Sequence, residues 1–348
     1  MTVISDFASA GKNSFGLVRL LAAICVVISH GYLVAQGANG LQPLEALTGY
    51  TLGAHAVHVF FTVSGLLVAA SFERRPSLMA FGAARFFRIY PGLLMSATLV
   101  FLFLASFVST ASWGEILAAC GFSYFVKTLV MLAGSASIPG VFDAAPNPGE
   151  VNVPIWTLKY EVACYISLGL VMWAVLRTKW VSPPQACAAI LLLSGAWMLR
   201  GVAYNDAGFF DHIARFSFAF WSGVAAWHLR HKIPMRYDAL LALLALVVIS
   251  IYFHLSALPH FLIISTGYAA LMFSRYRFGR ASTFTDRHDM SYGIYILGWP
   301  VEQTILLHNP EMPPLVLGLC ALILVLPLAY LSWRFVEKPA LKIKDRFA

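Results

Sequence analysis

The sequence predicts an all-α polytopic membrane protein, a bundle of about ten transmembrane helices with its N- and C-termini in the cytoplasm. Three observations carry that expectation. The chain is 59% hydrophobic and only 11% charged, with a mean hydropathy of +0.75, whereas a soluble domain carries roughly a quarter charged residues. Apolar stretches of about 20 residues, the length that crosses a bilayer core, follow one another almost end to end. The Lys and Arg residues fall into alternate breaks between those stretches, the asymmetry that orients membrane helices.

The expected spans are 15–35, 53–71, 89–108, 155–176, 186–203, 213–229, 238–254, 260–275, 290–308 and 314–335. With the first entering from the cytoplasm, all of the 24 Lys and Arg residues except Lys127, Lys159, Arg200 and Arg215 lie on cytoplasmic segments. Residues 116–134 are apolar enough to pass as a further span. Crossing there would turn every later arginine-bearing loop outward and would bury Lys127, so the segment is expected to be re-entrant or interfacial on the outer side. The Gly-, Pro- and Asn-rich residues 135–153 continue it as an outer loop. These stretches leave no room for an appended soluble domain, and residues 1–348 read as a single integral-membrane domain. The N-terminus lacks the basic region and small-residue cleavage site of a removed signal peptide.

Several function classes recede on composition. The net charge of +8 belongs first to cytoplasmic loops, and no basic-aromatic array of the nucleic-acid-binding kind accompanies it. Cys25, Cys120, Cys164, Cys187 and Cys320 are scattered through apolar stretches without metal or redox spacing. His30, His55 and His58 are suitable metal ligands by type. No carboxylate or cysteine stands at a spacing that would complete a site, and no metal is expected.

Charges within apolar stretches are costly and invite a functional reading. Arg19 and His30 lie eleven residues apart on the first span. At about 100° per residue this puts them on one face, about 16 Å apart along the axis. The pair reads either as a cation and a base on one track, or as a snorkelling arginine and a core histidine. At 85–91, RFFRIYP places Arg85 and Arg88 three apart beside Arg74 and Arg75. Guanidinium groups bind phosphates bidentately, so a cytoplasmic polyphosphate ligand suits this cluster. Glu161 follows PIWTLKY and enters the fourth span, where a carboxylate can orient and steady an imidazole acting as a base.

Together these pieces resemble the integral-membrane acyltransferase family 3, the O-acyltransferases of bacterial surface polysaccharides. The resemblance runs over nearly the whole chain: Arg19 and His30, VHVFFTVSGLLVAASF at 57–72, RFFRIYP, Trp156-Thr157-Leu158 ending in Glu161, SYGIYILGWP at 291–300, and WRFVEKP at 333–339. It implies acetyl-CoA or another acyl-CoA as cytoplasmic donor, and a hydroxyl of an exported or lipid-linked carbohydrate as acceptor, in the bacterial inner membrane. It further implies His30 and Glu161 as catalytic residues, Arg19, Arg85 and Arg88 as donor-binding residues, and Trp156 and Tyr292 as substrate-binding residues. Two departures stand out. Gly298 occupies a place where relatives often carry histidine, and the chain ends soon after Pro339, without the soluble esterase-like extension of some relatives. A transporter or flippase is the rival reading, since carriers also hold intramembrane charge. Neither a duplicated half nor paired broken helices support it.

Overall fold

The computed structural model describes residues 2–9, 11–38, 40–131, 136–203 and 206–343. Its helices are α1 (Phe15–Gln36), α2 (Glu45–Thr48), α3 (Leu52–Arg74), α4 (Leu78–Phe107), α5 (Trp113–Ala119), α6 (Gly121–Leu129), α7 (Leu158–Thr178), α8 (Pro183–Met198), α9 (Phe209–His228), α10 (Tyr237–Tyr252), α11 (Leu258–Ser274), α12 (Arg280–Arg287), α13 (Ser291–His308), α14 (Pro314–Ser332) and α15 (Lys338–Ile343). A 3₁₀ turn at Val153–Thr157 leads into α7, and a π-helical turn at Trp333–Glu337 joins α14 to α15. Among the described residues the only β-type pairing is an isolated bridge between Val3 and Pro234. The fold is all-helical, as expected.

Among the described residues, five helical stretches are long and apolar enough to cross a membrane: Phe15–Gln36, Leu52–Arg74, Leu78–Phe107, Val153–Thr178 and Pro314–Ile343. The apolar α10 and α11 are shorter. Each of the ten expected segments falls largely on a helix, although 186–203 runs past the end of α8 at Met198, and two differences are informative. The expected third span begins at 89, but α4 begins at Leu78 and runs unbroken through Pro91. Proline forfeits one intrahelical bond, which a long helix tolerates where neighbours satisfy the freed carbonyl. Arg85 and Arg88 therefore stand on a helix and share a face. The 116–134 stretch, in turn, forms no continuous helix. It breaks at Cys120 into α5 and α6, of 7 and 9 residues, each far short of the roughly 20 needed to cross. Its last residues, 132–134, lie outside the described set, as do Lys344 and Arg346.

Local chemistry sets several boundaries. Thr51 Oγ1 accepts from Ala54 N at 3.0 Å to start α3. Ser112 and Glu115 close a capping box on α5, and the bonds from Ser112 hold the Glu115 carboxyl below its usual range. Pro183 and Pro184 open α8 behind Ser182.

Packing divides the chain into two compact units: residues 1–22, 47–82 and 160–287, and residues 23–46, 83–159 and 288–348. In the first, α3 crosses α9 through two glycines. A Cβ on Gly65 would lie 1.9 Å from the Phe220 carbonyl oxygen, and one on Gly223 would lie 1.9 Å from that of Thr62. Helices in lipid gain no hydrophobic drive against one another, so close backbone approach and dispersion hold such a crossing. Because both obstacles are backbone, Gly223→Ala cannot be absorbed by a rotamer change. It is expected to cost at least about 1–3 kcal/mol, the range for overpacking, seen as a lower melting temperature in detergent. Unchanged melting would show that the crossing is looser than this. In the second unit, Val34, Trp299, Leu306 and Leu317 form a fully buried cluster.

Candidate active site

Four pieces of the second unit converge around α13: the later part of α1, α4, the segment 147–157, and α14 with its π-helical turn. Pro300 explains the convergence. Lacking an N–H, it leaves the carbonyl of Ile296, four residues earlier, without its helical donor. Asn152 Nδ2 takes up that oxygen at 2.8 Å, and Ser96 Oγ of α4 reaches it at 3.4 Å. The rest of the segment follows the same helix. Gln303 Nε2 donates to the Asn147 carbonyl at 3.2 Å, and Trp299 Nε1 donates to that of Glu150 at 2.8 Å. Tyr295 Oη donates to the Pro154 carbonyl at 3.0 Å and lies 2.6 Å from Thr157 Oγ1. Asn147 Nδ2 in turn donates to the Leu33 carbonyl of α1 at 2.9 Å.

His30 is set into this frame. Its half-buried imidazole meets the ring of Trp299 edge-on, with centroids 5.4 Å apart and planes at 83°. Trp299 is wholly buried and fixed by its bond to Glu150, so one side of the imidazole is defined. Gly298 packs against α1: a Cβ there would come within 2.8 Å of Val27 Cγ2. The departure at Gly298 thus has a steric account, since any larger side chain there would have to displace Val27.

Arg88 on α4 organises the other end of α13. Its guanidinium lies 2.8 Å from Asp289 Oδ2 and 3.7 Å from Glu337 Oε2, and 5.8 Å from the Tyr292 ring centre. Both carboxylates are themselves held, Asp289 by Ser291 Oγ and Glu337 by Ser332 Oγ, each at 2.7 Å. Tyr292 is buried and its hydroxyl donates to the Ile89 carbonyl at 3.0 Å, while Gly92 leaves room for its ring. Arg88 and Tyr292, singled out from separate motifs, therefore meet. Arg85 is half-buried one turn earlier on α4, and Trp156 is half-buried in the 3₁₀ turn. α1 is continuous, so Arg19 and His30 do share one helix. Glu161 belongs to the first unit, where it accepts a hydrogen bond from Tyr165 Oη, which also lies 3.0 Å from Ser64 Oγ.

In the first unit His55 and His58 pack edge to face, 6.2 Å between ring centres, and His55 Nε2 lies 3.0 Å from Thr48 Oγ1. Among the described residues no three His, Cys, Asp or Glu side chains gather as metal ligands do. One buried acid escaped the motif reading altogether. Glu302 has no solvent exposure, and its signal in the sequence was an acidic residue inside the apolar stretch 290–308.

The family model of an acyltransferase domain matches residues 12–334. The chain belongs to the integral-membrane acyltransferase family 3. Over 343 residues this acyltransferase is 27% identical to an O-acetyl transferase of Shigella phage Sf6, covering 94% of this chain and 95% of that one. It is also 24% identical to nodulation protein 10 of Rhizobium leguminosarum bv. viciae over 363 residues, 98% and 96% of the two chains. No solved structure matches it. The matched region includes His30, Arg88 and the whole of α13, while Glu337 lies three residues beyond its end.

Proposed function

We propose that this acyltransferase moves an acyl group, most readily acetyl, from cytoplasmic acyl-CoA to a hydroxyl of an exported or lipid-linked sugar in the bacterial inner membrane. The observation that carries the reading is His30, fixed edge-on to Trp299 and eleven residues beyond Arg19 on one helix, in a chain of an acyltransferase family. Arg19, Arg85 and Arg88 bind the phosphates of CoA, as charge and bidentate geometry favour. His30 takes the proton of the acceptor hydroxyl as its oxygen attacks the thioester carbonyl. The tetrahedral intermediate then expels the CoA thiolate, which recovers that proton from the imidazolium. A carboxylate steadies the imidazolium during the step, and Trp156 and Tyr292 border the substrates. Acetyl incorporation into surface polysaccharide, compared by mass spectrometry in cells with and without the gene, tests the reaction. Identical polysaccharides would refute it.

The topology belongs to the same proposal: ten spans, both termini cytoplasmic, and 116–134 on the outer side. The basic residues support this orientation. Single cysteines at 136–150 are expected to label from outside in intact cells, and those at 276–287 only after permeabilisation. External labelling at 276–287 would invert the later half of the scheme.

A further inference from the structure

Neither carboxyl oxygen of Glu302 meets a donor among the described residues. Gln303 beside it is also fully buried. Its Nε2 is spent on the Asn147 carbonyl, and its Oε1 meets no donor. Asn152, 6% exposed, repeats the arrangement, with Nδ2 on the Ile296 carbonyl and Oδ1 unmet. Leaving a buried acceptor unsatisfied costs about 1–3 kcal/mol, more when it is charged. A group of such acceptors in one unit, on α13 and on the segment latched to it, calls for donors from elsewhere.

Two contacts locate Glu302 relative to His30. Gly298 faces Val27 of α1, and five residues later Gln303 reaches, through Asn147, the carbonyl of Leu33. The numbering advances together at both points, so α1 and α13 run the same way with matching rise. Glu302, four residues after Gly298, shares the face that Gly298 turns towards α1. Its level is that of Gly31 and Tyr32, within one turn of His30.

We propose that Glu302, with Gln303 Oε1 and Asn152 Oδ1, forms the subsite that reads the hydroxyl groups of the acceptor. The assignment rests on the acyl-transfer reading above. A sugar presents several O–H donors over a few ångströms, the complement of acceptors that lack donors. The carboxylate accepts from hydroxyls neighbouring the reactive one, and so leaves the attacking oxygen at the imidazole. The pantetheine arm of the donor also carries N–H groups, but only two amides on a long chain.

The test uses full-length protein in lipid nanodiscs, radiolabelled acetyl-CoA, and membranes from a gene-deleted source strain, which hold the natural acceptor. Glu302→Leu is expected to raise the apparent KM for those membranes at least tenfold. Glu302→Gln, which keeps one acceptor oxygen and the volume, is expected to raise it less. Acetyl-CoA affinity, by calorimetry in the same nanodiscs, is expected to stay within twofold, a readout that also reports a folded site. An acceptor KM within twofold of wild type in Glu302→Leu would overturn the subsite. So would a loss of acetyl-CoA affinity at constant acceptor KM, which would place the pantetheine arm there instead. If the leucine variant does not fold, the glutamine variant decides by the same two measurements. Wild-type protein that labels no membrane component removes the parent reading, an outcome distinct from either.

Discussion

Replacing His30 with alanine is expected to lower turnover about 10²–10⁴-fold, the range for losing a general base, with little change in acyl-CoA affinity. The expectation follows from the place of the imidazole, edge-on to a buried tryptophan whose own N–H is committed to a backbone carbonyl. His30→Gln keeps a hydrogen-bonding group but cannot carry the proton, and is expected to be as impaired. Steady-state kinetics with labelled acetyl-CoA check both. A variant with near wild-type turnover would move the chemistry to another residue. Incubation without acceptor separates two versions of the step: label retained on His30 after rapid quenching would indicate an acyl-histidine, and its absence with ternary-complex kinetics would indicate direct transfer.

The two arginines of α4 are expected to separate. Arg85→Ala should chiefly weaken acyl-CoA binding by about 1.5–3 kcal/mol, the range for hydrogen bonds to charged groups, with partial rescue by lysine because the planar fork is lost. Arg88→Ala should in addition destabilise the protein. It strips the cation from Glu337, which is 1% exposed, and from Asp289, and breaking a buried pair on one side costs about 3–5 kcal/mol. Glu337→Gln in the Arg88→Ala background should recover part of the lost melting temperature, because it removes the stranded charge. Equal melting of the two single variants would refute the division of roles.

Much of the architecture could be read from periodicity and composition, because a membrane span announces itself by length. The start of α4 could not. Arg85, Arg88 and Pro91 look like a boundary in one dimension, whereas in the fold the arginine is paired and the missing proline N–H is tolerated. α12 also escaped, because a short polar helix has neither length nor an apolar face to betray it. Around α13, the sequence singles out His30 and Arg88 by spacing and Tyr292 through the family resemblance, but a motif names residues and not their partners. Trp299, Asp289 and Glu337 acquire their roles only through packing, and the Gly298 departure is explained only by the position of Val27. Glu302 shows in the sequence only as an acid inside an apolar stretch, and its meaning depends on what faces it across a helix pair.

The bond from Asn152 to the carbonyl freed by Pro300 spans 144 residues of sequence, and this bears on biogenesis. During synthesis, residues 147–157 emerge long before α13 exists to receive them. The ribosome adds about 5–20 residues per second, so the segment waits on the order of ten seconds or more with its anchoring amides unpaired. Contacts this distant also carry a loop-closure cost before any of them forms. The wall behind His30 is therefore among the last parts of the enzyme to be completed. A chain released before residue 303 has its histidine in place but lacks the helix that frames it. On the proposed mechanism, catalytic competence is in this way tied to nearly complete synthesis, and partial products in the membrane have no finished site with which to act.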